Sequence, residues 1–246
     1  MTQYRVAAVA AAFALFGQMA QAAPITFFGE DLNPAGTVDP TGNAASAKGS
    51  FLSSLSGNIG TEDFEDATEA SLDCAGSGIS GSMSLNGGSI DNAPNTGRFA
   101  TSGSTYVSSG GGLEINFGTA INAFGFYGTD VGDFGSSLSL ILTDINNATT
   151  QIDITEHSLG YMGDTDGRLM FFGFIDTMNQ YTKVTFLAPE FEYEASEEKT
   201  VMIPDVFGID DVTIAEISPV PVPASLPLLV VSLAGLYGAR RVKRSK

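Results

Sequence analysis

The sequence predicts an all-β protein: a single β-sandwich or jelly-roll-like domain with one short helix, flanked by an N-terminal signal helix and a C-terminal transmembrane helix. Three observations support this fold class. Many short segments alternate apolar and polar residues, which is the pattern of a strand with one buried face. Clusters of Gly, Asn, Asp and Ser separate these segments, and glycine supplies 29 of the 246 residues. Helical spacing of apolar residues is found in one segment of the central region.

The predicted strands are of two kinds. Residues 113–117 alternate apolar and polar side chains, which indicates a strand with one buried face. Two longer apolar runs, 123–127 and 169–175, predict strands that are buried on both faces. Each run contains a glycine, Gly125 or Gly173, and we expect the missing side chain to permit the close approach of another group. Shorter strand-like segments lie at 138–142, 152–154, 184–186 and 212–214.

One amphipathic helix is predicted over residues 44–55. Apolar residues recur there at spacings of three and four and define one helix face: Ala44, Ala47, Phe51 and Leu55. Asn43 belongs to the residue types that accept hydrogen bonds from the first backbone N–H groups of a helix. We therefore expect Asn43 to cap this helix.

The charge is distributed unevenly along the chain. The formal net charge is -17, from 11 basic and 28 acidic residues. All acidic residues and five basic residues lie between residues 24 and 218, which gives this region a net charge of -23. Such an acidic region argues against nucleic-acid binding, because a nucleic-acid partner needs a basic surface. The one cysteine, Cys74, cannot form an internal disulfide, and no basic neighbour in the sequence predicts a reactive thiol.

The first 22 residues have the three parts of a secretory signal peptide. Arg5 gives a basic start, residues 6–16 form an apolar core, and Ala20 and Ala22 form an A-x-A cleavage site. The apolar core has 11 residues, whereas a helix that spans a bilayer needs about 20. We therefore expect cleavage after Ala22 and export of the mature chain through the secretion translocon.

The C-terminal region has the features of a membrane-spanning helix. Residues 222–239 carry no charge, and their number, 18, is close to the minimum for a span. A basic cluster follows directly: Arg240, Arg241, Lys243 and Arg244. Because basic residues that flank a span stay in the cytoplasm, the acidic region is predicted to lie outside the inner membrane.

The segment at the start of this span carries a family resemblance. Its residues are Val220, Pro221, Val222, Pro223 and Ala224, and a Leu-rich span and an Arg-rich end follow in that order. This arrangement resembles the VPLPA-type variant of the PEP-CTERM sorting tail. The resemblance implies an exosortase partner, a precursor anchored in the inner membrane of a Gram-negative bacterium, and release to the cell surface or extracellular matrix. The predicted organisation is a signal peptide (1–22), an exported domain (23–218) and a sorting tail (219–246).

Acidic residues at the two ends of the β-region are the candidate metal ligands. Phe64 and Glu65 open this region, and Asp210 and Asp211 lie where it closes. The first and last strands of a jelly roll are often neighbours, and carboxylate oxygens are ligands that Ca²⁺ prefers. The pairing resembles the Phe-Glu and Asp-Asp elements of MAM-type and lectin-like sandwiches. A calcium site at Glu65, Asp210 and Asp211 is therefore predicted; the alternative is that these carboxylates line a solvated edge.

The function predicted for the exported domain is binding without catalysis, with exopolysaccharide bridged by calcium as the first partner considered. Parts of the domain resemble uncharacterised ectodomains that commonly precede such tails, and no activity is attached to that resemblance. The first alternative is a secreted hydrolase such as a glycosidase, which needs two carboxylates about 5–9.5 Å apart. The second is a purely structural matrix protein. A serine hydrolase would depend on His157, the one histidine, and the chain has no G-x-S-x-G motif.

Overall fold

The computed structural model describes residues 23–32, 36–67, 71–110, 112–132, 138–154, 167–187, 190–196 and 199–217. The predicted signal peptide, its cleavage site, the proline motif, the C-terminal span and its basic flank lie outside these ranges. Among the described residues, no helix is both long enough and apolar enough to cross a lipid bilayer.

Fifteen strands and one helix make up the described chain. The helix is α1 (Asn43–Ser54). The strands are β1 (Ile25–Asp31), β2 (Asn58–Glu62), β3 (Leu72–Cys74), β4 (Ile79–Ser84), β5 (Ser89–Asp91), β6 (Tyr106–Ser109), β7 (Glu114–Ile121), β8 (Ala123–Thr129), β9 (Leu138–Asp144), β10 (Thr149–Ile154), β11 (Leu169–Ile175), β12 (Tyr181–Leu187), β13 (Glu190–Ser196), β14 (Lys199–Pro204) and β15 (Phe207–Glu216).

The strands form two antiparallel sheets and a separate hairpin. The first sheet has seven strands in the order β1-β11-β8-β15-β6-β5, with β2 also paired to β15. The second sheet has six strands in the order β10-β9-β12-β7-β4-β3, and β13 pairs with β14 alone. A mostly β protein with one short helix is therefore confirmed.

Aromatic residues dominate the core between the two sheets. Phe124 and Phe126 of β8 and Phe186 of β12 are fully buried there. The rings of Phe126 and Phe186 meet edge to face with their centroids 4.9 Å apart, a favoured geometry for aromatic pairs. These contacts join β8 of the first sheet to β12 of the second and fix the sandwich.

Helix α1 covers the outer face of the first sheet through Phe51. Gly125 and Gly173 face each other across β8 and β11, and the Phe51 ring lies over both. A Cβ atom would come within 2.9 Å of that ring at Gly125 and within 3.0 Å at Gly173. The predicted close approach at both glycines is confirmed, and the groups that approach are the rings of Phe51 and Phe171.

The helix cap differs from the one predicted. Asn43 is the first helical residue, and Gly42 occupies the N-cap position without a side-chain hydrogen bond. The carboxylate of Asp31, at the end of β1, instead accepts hydrogen bonds from the backbone N–H groups of Asn43 (2.8 Å) and Ala44 (3.1 Å). The prediction that Asn43 caps the helix was wrong because the capping group comes from a residue 12 positions earlier.

Candidate binding sites

The predicted calcium residues lie where β15 exchanges one neighbouring strand for another. Along the same edge, β15 pairs with β6 from Phe207 to Ile209 and with β2 from Val212 to Glu216. The register of β15 against β8 shifts between Asp210 and Thr213. Asp211 has a φ of +51°, a conformation that residues other than glycine adopt rarely. This irregularity places the Asp210 and Asp211 carboxylates between the ends of β2 and β6.

A short hydroxyl-rich loop, residues 100–105, fills the space between these strand ends and is held by Asp210 and Asp211. The Asp210 Oδ2 atom accepts hydrogen bonds from the backbone N–H groups of Thr101 (2.6 Å) and Ser102 (3.0 Å). The Asp211 Oδ1 atom accepts one from the Ser102 hydroxyl (2.7 Å), and Asp211 Oδ2 lies 2.7 Å from the Lys48 ammonium group.

Glu65 holds the other end of loop 100–105. Its carboxylate accepts hydrogen bonds from the backbone N–H groups of Ser104 (2.7 Å) and Thr105 (2.6 Å) and from both side-chain hydroxyls. All three predicted residues therefore contact one loop, and this set with Lys48 is called the carboxylate cluster below.

The pKa values of Asp210 and Glu65 are shifted in opposite directions. Asp210 is 1% exposed, and burial raises its pKa to about 7 although hydrogen bonds from Ser102 and Thr101 favour the charged form. The negative charge of Asp211 also raises the pKa of Asp210. Glu65 is exposed, and the Thr105 hydroxyl and the Ser104 N–H lower its pKa to about 2. Burial, rather than hydrogen bonding, therefore controls the charge state of Asp210.

The donor set at the carboxylate cluster has a mixed fit to calcium. Carboxylate and hydroxyl oxygens suit Ca²⁺ chemically. The oxygens of Asp210, Asp211 and Glu65 already accept hydrogen bonds, however, and Lys48 places a cation against Asp211. Among the described residues, no group of three or more His, Cys, Asp or Glu side chains is arranged to hold a metal ion. Calcium binding at this cluster stays a prediction.

The calcium hypothesis predicts a change in thermal stability. A ligand that binds only the folded chain at 100 times its Kd stabilises it by about 2.7 kcal/mol. Adding CaCl₂ to chelator-treated protein is expected to raise the melting midpoint, and Asp211→Asn is expected to remove that increase. Asp153→Asn, at an exposed carboxylate on β10, is the control and should retain it. An unchanged midpoint in the unaltered protein would exclude the calcium site.

A groove between β1 and α1 is a second candidate site, and sequence patterns did not predict it. Its volume is about 390 Å³. The groove forms because Gly29 lets the first turn of α1 approach β1: a Cβ atom at Gly29 would overlap the Asn43 carbonyl group. The Asn43 amide also donates a hydrogen bond to the carbonyl oxygen of Glu30 (3.1 Å). The lining residues are Thr26, Phe27, Phe28, Gly29, Asn43, Ser46, Ala47 and Ser50.

The lining of this groove is neutral and has both polar and apolar parts. Hydroxyl groups come from Thr26, Ser46 and Ser50, which are all exposed, and Asn43 adds an amide. Phe27 adds a half-buried aromatic side chain. A concave surface with an apolar side and a few hydrogen-bonding groups is typical of small-molecule and saccharide sites. Ser46 and Ser50 lie four positions apart on the predicted helix, and this spacing indicates a polar side of the helix. The sequence did not indicate that β1 packs beside that side.

Side chains considered for other chemistry lie mainly in the core. Tyr106, Tyr127 and Tyr181 are each at least 97% buried and belong to the core. Cys74 is fully buried, and burial raises the pKa of its thiol to about 12. It is therefore an unreactive core residue, as its sequence context predicted. His157 lies outside the described residues.

Comparisons with known proteins give structural likenesses only. No protein-family model matches the chain, and no curated protein matches it either. Among solved structures, the CBM22-1 xylan-binding domain of Paenibacillus barcinonensis Xyn10C is similar, with 11% identity and a TM-score of 0.34. This similarity covers 67% of this chain and all of that domain.

Two further solved structures show a likeness at the same level. The adhesin domain K1 of Lys-gingipain from Porphyromonas gingivalis has 15% identity and a TM-score of 0.36, over 65% of this chain and 99% of that chain. TmCBM61, solved in complex with β-1,4-galactotriose, has 14% identity and a TM-score of 0.29, over 63% of this chain and 94% of that chain. These neighbours are carbohydrate-binding modules and an adhesin domain.

Proposed function

We propose that this chain is an exported surface or matrix protein whose β-domain binds a polysaccharide and does not cleave it. The observation that carries the proposal is the groove between β1 and α1. Its hydroxyl and amide groups match the hydrogen-bonding needs of sugar hydroxyls, and Phe27 offers an apolar surface to the C–H face of a sugar ring.

The charge of the domain favours a polysaccharide with neutral sugar units over a polyanion. All eight residues that line the groove are uncharged, so no basic group is available to pair with a uronate or a sulfate. The region from 24 to 218 carries a net charge of -23 and repels polyanions at low ionic strength. A neutral glycan avoids this repulsion and can satisfy the polar groups of the groove.

Removing two hydroxyls from the groove is expected to weaken binding. Each lost hydrogen bond is worth about 0.5–1.5 kcal/mol, so Ser46→Ala combined with Ser50→Ala should weaken affinity for a bound neutral polysaccharide about tenfold. Ser53→Ala combined with Ser54→Ala is the matched control, since these serines lie on the same helix but outside the groove. Isothermal titration measures the affinity of both double variants. Equal losses of affinity in the two double variants, or no loss in either, would contradict binding in the groove.

We also propose that the chain reaches its destination through its tail. The translocon exports it, the span at 222–239 anchors the precursor, and an exosortase cuts near Val220–Ala224. In cells that contain the sortase, the mature protein is expected to lack the basic end, 240–246. Intact-mass spectrometry measures this. A mature chain that keeps this end would contradict sorting, and Pro221→Ala with Pro223→Ala should preserve the uncut precursor.

A further inference from the structure

The chain leaves the described domain from one end of the sandwich, called the exit end here. Strand β15 ends at Glu216, and the Asn122 side chain then holds Ile217 through two hydrogen bonds of 2.6 Å, one to its N–H and one to its carbonyl group. The strand register places the start of β1, the end of β11 and the β7–β8 turn at this same end. The exit point is therefore a fixed part of the fold.

Large exposed apolar side chains concentrate at the exit end. Ile25 begins β1 (59% exposed), and Leu52 lies in the last turn of α1 (37%). Ile145 (57%) and Met178 (53%) occupy the β9–β10 and β11–β12 turns. These two turns touch, because the Ile145 N–H donates a hydrogen bond to the carbonyl oxygen of Gln180 (3.2 Å). Four of the six large hydrophobic residues that are most exposed in the described chain therefore lie at this end.

Acidic residues are more numerous at the opposite end. Five stretches at the exit end contain no charged residue: 55–58, 75–78, 118–122, 145–148 and 177–180. The acids beside these stretches are Asp73, Asp144, Asp176 and Glu216. Asp176 is buried and bonded to its own loop, Asp144 accepts hydrogen bonds from the N–H groups of its own turn, and Asp73 and Glu216 are exposed. The opposite end carries more acids: Asp31, Asp39, Asp63, Glu65, Asp66 and Asp205. The exit end is therefore more apolar and less acidic than the opposite end.

The sequence length beyond Ile217 limits how far this end can lie from a membrane. The predicted span begins at Val222, five residues later, and five residues reach at most about 18 Å. The ten residues of β15 extend about 34 Å toward the opposite end. With an attachment this short, the exit end is the part of the domain nearest the bilayer.

We propose that the exit end rests on the lipid surface while the precursor is anchored, with Ile25, Leu52, Ile145 and Met178 at the headgroup boundary. This inference rests on the proposed C-terminal anchor. Apolar side chains gain free energy at that boundary. The exit end, with fewer acids, is repelled less by anionic lipids than the more acidic opposite end. The groove between β1 and α1 extends from Thr26 and Ser50, near the exit end, to Gly29 and Asn43, farther from it.

Depth-dependent fluorescence quenching tests this orientation in the full-length precursor. The precursor is reconstituted in vesicles of phosphatidylethanolamine and phosphatidylglycerol that contain a lipid with a nitroxide at the headgroup. Because Cys74 is fully buried, single labels are placed through Ile145→Cys or Met178→Cys. Leu187→Cys is the matched control: Leu187 is also exposed (43%) and apolar, but it ends β12 at the opposite end. Labelling of the unaltered precursor must be negligible.

Labels at 145 and 178 are expected to be quenched at least about twofold more than the label at 187, because interfacial side chains lie ~5–10 Å into the headgroup boundary. Equal quenching at all three positions in precursor that floats with the vesicles would overturn the proposed orientation. Precursor that fails to float with the vesicles would instead overturn the C-terminal anchor, and with it this inference. Flotation therefore separates the two failures.

Discussion

Replacing Phe51 with alanine is expected to lower the free energy of unfolding by about 3–5 kcal/mol, the cost typical of a buried phenylalanine. Phe51 is fully buried and joins α1 to the first sheet, with its ring 5.6 Å from those of Phe27 and Phe171. Urea denaturation measures the loss. Leu52→Ala is the control. Leu52 is next to Phe51 in the chain but is partly exposed, so its replacement should lower the free energy of unfolding by less than about 1 kcal/mol. Similar losses in both variants would contradict the role of Phe51.

A double-mutant cycle tests the contact between the ring and the glycines. Gly173→Ala is expected to destabilise the unaltered protein, because the added Cβ atom would lie 3.0 Å from the Phe51 ring. In the Phe51→Ala background that ring is absent, so the same substitution should cost less. A coupling of about 0.5–3 kcal/mol between the two positions is the expected result. Additive losses would mean that the ring does not lie over Gly173.

Replacing Asp210 with alanine is expected to destabilise the fold by about 2–5 kcal/mol, because buried donors lose their acceptor. The N–H groups of Thr101, Ser102 and Asp211 all donate to this carboxylate. Urea denaturation at one pH measures the loss. Ser104→Ala, which removes one exposed hydroxyl at the other end of loop 100–105, should cost far less. A loss at Asp210 no larger than at Ser104 would contradict its role in holding the loop.

The pH dependence of stability identifies the titration of Asp210. Its pKa rises from 3.8 in the unfolded chain to about 7 in the fold. The folded state therefore binds more protons between these values, so this group's contribution is full below pH 4 and is lost as the pH rises to 7. Asp210→Asn should remove this fall in stability. Glu65 acts oppositely and only below pH 4.5, because its pKa is lowered to about 2.

Unfolding curves between pH 4.5 and 7.5, with a chelator present, measure the difference between Asp210→Asn and the unaltered protein. Burial also raises the pKa of Glu62, so the unaltered protein alone cannot assign the slope to one carboxylate. The variant isolates Asp210 because Glu62 is common to both chains. Parallel curves would show that Asp210 is ionised throughout this range.

Local sequence patterns predicted the helix and seven of the fifteen strands, because the forces that form these elements are local. Alternation in residues 113–117 identified β7, and the apolar runs identified β8 and β11. The glycines in those runs also indicated a close approach. The ring that approaches these glycines, Phe51, could not be predicted, because contacts between distant parts of the chain leave no local pattern. Even Gly125 and Gly173, which face each other, are 48 positions apart. The same limitation explains the misassigned helix cap, where the carboxylate comes from Asp31 on another element.

The carboxylate cluster was only partly predictable. Asp210 and Asp211 were predicted as site residues because they lie near the end of the β-region, where the first and last strands of a jelly roll are often neighbours. Their partners have no such sequence signal: Thr101 and Ser102 belong to an ordinary polar loop, and Lys48 lies 163 positions from Asp211. The groove had even less signal, because it exists only where β1 and α1 pack together around Gly29.

The most direct test of the proposed function is affinity electrophoresis of the mature protein through gels that contain single polysaccharides, followed by an assay for new reducing ends. Neutral polysaccharides such as xylan, galactan and β-glucan are compared with alginate, a polyanion. Retardation is expected in at least one neutral gel, with none in alginate and no release of reducing ends. Retardation in alginate alone, mobility unchanged in every gel, or release of reducing ends would contradict non-catalytic binding of a neutral polysaccharide.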